Sequence, residues 1–198
     1  QNPGQKSSSA HAALQGYIDA GGRVFASHWH NIWLSGATNE IKSVGTFVAS
    51  GDGYANDTTT ITADVNQSFD KGKAMASWLQ LPSVNGSTQN GKLDIKFSRQ
   101  TLTSRDMAKT QDWVNFQPPS YTRQSQYFSF NAPLNAPPAT QCGQMVFTDI
   151  HVSGGKNDVS TPSKPFPTGC TSNGLTPQEK ALIFMLFDLT NCLQPGIG

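Results

Sequence analysis

The sequence predicts an α/β domain: a short, mainly parallel sheet flanked by helices, with a β-rich insertion. Three observations lead there. Residues 23–27 form a short apolar run directly after a Gly21-Gly22 helix stop. Residues 143–152 carry a second such run, with Met145, Val146, Phe147 and Ile150. A well-capped apolar helix then closes the chain.

The elements follow in order. Residues 1–9 read as a loop. Residues 9–20 read as a helix, with Ser9 as its cap and Ala12, Ala13, Tyr17 and Ile18 as its apolar stripe. After the strand at 23–27, residues 41–49 and 58–65 give one or two strands around a turn cluster at 51–56. Residues 68–79 read as a short helix with Ala74, Met75, Trp78 and Leu79 on one face. Residues 93–97 alternate strictly, as a half-exposed strand does. Residues 113–116 and 127–130 add further strands, and Pro118-Pro119 and Pro133 break the chain after them. Residues 153–174 read as a long loop rich in Gly, Ser, Lys and Pro. Thr176, Pro177 and Glu179 then occupy the N-cap, N1 and N3 positions of a capping box. That last helix runs to about Leu193, before Pro195-Gly196. Its apolar residues nearly encircle it, so it is expected to be covered on two sides. On this reading residues 35–135 are a β-rich insertion. The 198 residues form a single α/β domain or the C-terminal part of one.

Composition narrows the function. Charged residues make up 14% and the net charge is +1. An average globular protein carries roughly 25% charged residues. The cations are scattered, which excludes a nucleic-acid footprint. The longest apolar run, 181–187, is far shorter than the roughly 20 residues a membrane span needs. The Ser, Thr, Asn, Gln and Gly content suits a secreted or cell-surface, extracytoplasmic protein. The chain begins at Gln1, which reads as a processed end or as the start of a fragment whose N-terminal segment is missing.

Three cysteines occur, with no C-x-x-C pair. Cys170 precedes the last helix and Cys192 ends it, so a Cys170–Cys192 disulfide is expected. Cys142 is then left over, either as a buried free thiol or as a bond to a second polypeptide.

Two segments echo each other: Gly22-Arg-Val-Phe-Ala-Ser-His28-Trp-His30 and Gly143-Gln-Met-Val-Phe-Thr-Asp-Ile-His151. Each is a glycine, a buried strand and a histidine at the strand's end, where parallel sheets gather their ligands. His28, His30 and His151 could converge on a zinc ion with an open water position. The plainer alternative is three separate local roles. Zinc is the one cofactor the sequence raises; a calcium loop at Gly51-Asp52-Gly53 lacks the required spacing. Asp149 stands two residues before His151, either as an orienting or basic carboxylate or as an acceptor of backbone amides in a turn. Trp29 and Trp33, with Asn31 between them, could stack on and bond a sugar; the alternative is a place in the core. No nucleophile elbow surrounds any serine or cysteine.

The stretches 17–28 and 143–151, with the helix at 68–79, resemble the C-terminal half of ThuA-like proteins of the class I glutamine-amidotransferase-like superfamily. Glu179 to Leu189 is similar to the end of a related domain in large secreted bacterial proteins of unknown function. The resemblance implies a parallel, flavodoxin-like α/β fold that is incomplete at its N-terminus here, a site at the two histidine-bearing strand ends and an association with sugar metabolism. The family's opening strands and helix have no counterpart here. The amidotransferase cysteine elbow and its His-x-Glu partner are absent, so glutaminase activity is not implied. Three function classes follow. The first is a secreted non-catalytic or carbohydrate-binding module using Trp29, Trp33 and the histidine cleft. The second is a hydrolase, metal-assisted or using His28, His30, His151 and Asp149. The third is a structural domain whose last helix and Cys142 dock a second polypeptide.

Overall fold

Two glycines end the first helix and launch the first strand. A computed structural model of the chain describes residues 6–49, 51–56, 58–151 and 174–190. In it, α1 (Ser8–Asp19) is capped by Ser7, whose hydroxyl accepts from the Ala10 amide, two residues earlier than the expected cap. Gly21 adopts φ +97°, and the amides of Gly21 and Gly22 bond the carbonyls of Ile18 and Tyr17 at 2.9 Å each. A positive φ favours glycine, and this one turns the chain sharply into β1 (Arg23–Ser27).

The remaining strands are β2 (Gly45–Phe47), β3 (Tyr54–Asn56), β4 (Ile61–Val65), β5 (Lys92–Ile95), β6 (Ser98–Gln100), β7 (Leu102–Arg105), β8 (Gln111–Phe116), β9 (Gln124–Ala132) and β10 (Gly143–Thr148). The further helices are α2 (Ile32–Ser35), α3 (Asp70–Gln80) and α4 (Pro177–Thr190). Six strands make one sheet in the order β1-β10-β9-β8-β4-β5, and β2-β7 and β3-β6 form two small two-stranded sheets.

This corrects the expected architecture. The two histidine-bearing strands do lie side by side and parallel, with Ser27 opposite Thr148. Every other pairing in the six-stranded sheet is antiparallel. The sheet is therefore mostly antiparallel, not mainly parallel, and the flavodoxin-like layout implied by the ThuA-like resemblance is not the one adopted. Residues 35–135 are no insertion either: they supply β4, β5, β8 and β9, four of the six strands. The physical reason is burial. β10 is buried along its whole length, so Met145 to Phe147 read as a continuous apolar run, the pattern usual for a parallel sheet, although its second neighbour β9 runs antiparallel to it.

One face of the sheet packs under α3 and α4 through Met75, Ala76, Leu79, Ala181, Met185 and Leu189. On α3, Ala76 rather than Ala74 turns inward. The other face meets α1, α2 and the small sheets through Ile18, Leu34, Ile41, Val44 and Leu102. Gly143 lets α1 approach β10, since a Cβ there would stand 1.8 Å from the Ile18 carbonyl oxygen. The capping box at Thr176 forms: the Thr176 amide donates to Glu179 Oε2 at 2.6 Å and the Glu179 amide donates to Thr176 Oγ1 at 3.3 Å. α4 is not covered all round by the described residues, because Phe187 is 66% exposed. No helix among them is long and apolar enough to cross a membrane. Cys142 is exposed, not buried, and forms no disulfide among the described residues. Cys170 and Cys192 lie outside the described residues.

Candidate functional site

Because β1 and β10 run parallel, both deliver their C-terminal ends to one edge of the molecule. There the chain leaves β1 through a 3-10 turn, His28–Asn31, that leads into α2. His28 takes φ +38°, a left-handed value uncommon for a residue with a Cβ. Its imidazole is buried and both ring nitrogens are engaged. Nε2 lies 2.6 Å from Asp52 Oδ1, and Nδ1 lies 2.8 Å from Nε2 of His151. Asp52 reaches the site from the turn before β3, and its other oxygen lies 3.5 Å from Nε of the buried Arg99 on β6.

The acceptor and donor roles in this row follow from the carboxylate. An ionised Asp52 can only accept, so Nε2 of His28 carries a proton toward it. In a neutral His28 ring, Nδ1 is then the acceptor and takes the Nε2–H of His151. The result is a directed chain from Asp52 through His28 to His151. Trp29 leans on the His28 ring at 4.6 Å between centroids.

His28, Trp29 and His151 line a cleft of about 280 Å³. Phe25, Trp29, Ile150 and Leu182 form its apolar walls; Ser27, Thr148 and the exposed His30 also border it. Tyr127 borders it from within the core and is fully buried. Its hydroxyl has no hydrogen-bond partner among the described residues. Thr148 is its polar neighbour, but that hydroxyl already donates to the Gln126 carbonyl at 2.8 Å and accepts from the Ile150 amide at 2.9 Å. Burial pushes the phenol well above its ordinary range, so it stays protonated and remains a donor.

His151 is held by a helix. Gln178, buried in the first turn of α4, donates through Nε2 to the His151 carbonyl. Its Oε1 accepts from the Lys96 amide at 2.7 Å, and its Nε2 also reaches the Lys96 carbonyl at 3.3 Å. One side chain thus ties α4, the end of β5 and the end of β10 together.

The structure sorts the sequence-derived residues. His28 and His151 come together, with ring centroids 4.5 Å apart. His30 does not join them on one centre. In a 3-10 turn, positions two apart point roughly 240° apart, whereas in an extended strand they would share a face. The Nδ1 atom of His30 instead accepts from the Ser27 amide at 3.3 Å. Among the described residues no group of three His, Cys, Asp or Glu side chains is placed to hold a metal ion. Asp149 points into the protein, where it accepts from the Thr101 amide, the Thr101 hydroxyl and the Leu102 amide at 2.8, 2.7 and 3.2 Å. Burial raises its pKa, and those bonds together with the field of His28 counter the rise. Trp33 stands apart from the cleft, edge-on to His11 at 5.7 Å with the Lys6 ammonium over its ring. Asn31 is buried. Trp29 and Trp33 therefore do not form a shared platform.

Sequence reasoning missed Asp52, Arg99, Tyr127 and Gln178. Asp52 was visible as the centre of a Gly-Asp-Gly turn, but nothing local ties that turn to His28, 24 residues away. Gln178 looked like an ordinary residue of a helix start. Comparison with known proteins returns no matching family model, no matching curated protein and no matching solved structure.

Proposed function

We propose that the cleft is the active site of a hydrolase that uses the His28–His151 pair in general acid–base catalysis on a small, uncharged, partly apolar ester or lactone. The carrying observation is the hydrogen-bonded row Asp52–His28–His151 at the mouth of an apolar cleft. As a water molecule attacks the substrate's acyl carbon, the pair takes up its proton. The new charge is shared along the row and balanced by Asp52. When the tetrahedral intermediate collapses, the C–O bond to the leaving alcohol breaks and the pair returns the proton to that oxygen. The apolar walls favour a short hydrocarbon acyl group. The weakly charged composition supports work outside the cytoplasm.

The test is turnover of p-nitrophenyl acetate, p-nitrophenyl butyrate and a set of γ- and δ-lactones. The expected result is hydrolysis above the buffer rate that falls about 10²-fold or more in His28→Ala and His151→Ala, with both variants still folded by circular dichroism. Hydrolysis no faster than buffer for every compound, or equal rates in the folded variants, would overturn the reading.

A further inference from the structure

A second recess opens on the same helix-covered face of the sheet, at the opposite end of β10 from the histidines. Elsewhere this face is apolar, with Val146, Tyr127 and Trp113. Near the start of β10 it turns to uncharged polar groups. Gln144 stands directly opposite Asn131, and Gln111 directly opposite Ser129. With Gln141 they border a groove of about 280 Å³, at the small end for ligand sites, with Phe69 and the exposed Met107 alongside.

The hydrogen-bonding capacity of these amides is largely unspent. Gln144 is 4% exposed, yet among the described residues its carboxamide makes one hydrogen bond, a long one, 3.5 Å from Arg23 Nη1 to its Oε1. The Asn131 carboxamide makes no hydrogen bond with the described residues. Gln111 and Gln141 spend their Nε2 groups on the carbonyls of Asp112 and Pro133, at 2.8 and 2.9 Å, which leaves each Oε1 as an acceptor. The two cations at the groove are already neutralised: Lys71 lies 2.8 Å from Asp188, and Lys109 lies 3.3 Å from Asp106.

We propose that this groove binds an uncharged polyhydroxylated ligand, a mono- or disaccharide. Each hydroxyl of a sugar both donates and accepts. A row of carboxamides offers donors and acceptors side by side at matching intervals, whichever way each amide is turned. Phe69 and Met107 supply the apolar contact that the C–H face of a sugar ring requires. An anion would need an unpaired cation lining the groove, and both lining cations, Lys71 and Lys109, are paired; Arg23 lies behind Gln144 and does not line it. A peptide strand would need an open sheet edge, whereas this is a sheet face. The proposal stands independently of the histidine cleft.

The test is a titration of the isotope-labelled full chain, followed by amide NMR. The probes are glucose, galactose, mannose, N-acetylglucosamine, xylose, maltose and cellobiose at millimolar concentrations, with glucose 6-phosphate and inorganic phosphate as charged counterparts. The expected result is saturable shifts of the Asn131 and Gln144 side-chain amides for at least one neutral sugar. Binding should weaken about tenfold in Asn131→Ala, a half-buried position that tolerates truncation, and again in Gln144→Ala. No saturable shift with any sugar, shifts centred on Trp29 and His151 instead, or binding of the phosphates without the neutral sugars would each overturn the proposal.

Discussion

The Nε2 atom of His151 lies 2.8 Å from Nδ1 of His28, across 123 residues of sequence. The contact exists because the one parallel strand pair in the main sheet ends both strands at the same edge. Asp52 completes the row from the far side of His28 and fixes which nitrogen of that ring carries the proton.

Asp52→Asn should therefore release the tautomer of His28. Long-range ¹H–¹⁵N spectra of ring-labelled protein should change from one protonated Nε2 to a mixture of tautomers. Ester hydrolysis should fall about 10²-fold or more. An unchanged ring spectrum would show that Asp52 does not set the proton's place.

Gln178→Ala removes the tie between α4 and His151 and leaves the Lys96 amide and the His151 carbonyl without this partner. We expect a loss of about 1–3 kcal/mol, from chemical denaturation, and broadened ring signals of His151. Gln178→Glu keeps an acceptor for the Lys96 amide but no donor for His151. It should recover part of the stability and none of the ring order.

His28 holds a left-handed backbone that a side chain resists. Of two substitutions that both delete the imidazole, His28→Gly should be more stable than His28→Ala by about 1–2 kcal/mol. Equal midpoints in urea would mean that the backbone strain is relieved in some other way.

Gly143→Ala would set a methyl 1.8 Å from the Ile18 carbonyl oxygen, an atom of the helix backbone that cannot swing aside. The helix must move off β10, at a cost of about 1–3 kcal/mol. A thermal scan should show a midpoint lower by several degrees.

Asp64 governs an acid response at the surface of the sheet. Partial burial raises its pKa, but hydrogen bonds from Lys92 and Arg123 outweigh this, and the carboxyl sits below its ordinary 3.8. A carboxyl depressed in the fold contributes stability above its unfolded value and loses it as pH falls through the folded one. Wild type should thus lose stability relative to Asp64→Asn as pH drops from about 5 through 3.8 and below. Parallel stability curves for the two proteins over that range would contradict this.

Much of the local structure was legible in the residues. β1 occupies the predicted positions 23–27, because a Gly-Gly stop followed by a short apolar run leaves little else to form. The Thr176–Glu179 capping box is a contact between neighbours, and it forms as the spacing requires. The turn at His28–Asn31 was not legible, since His-Trp-His fits a strand as well as a tight helix. The choice between them rests on Asp52 and His151, which lie far away in sequence.

The sequence by itself determined the position of β1 and the capped start of α4, and that two glycine-led strands lead into histidine, because capping, glycine stops and short apolar runs act over a few residues. Only the tertiary structure decided that the sheet is mostly antiparallel, that Asp52 rather than Asp149 meets His28, and that His30 and Trp33 turn elsewhere. Strand order and direction depend on which faces are buried together. A strand covered on both faces carries the same apolar signature whichever way its neighbour runs.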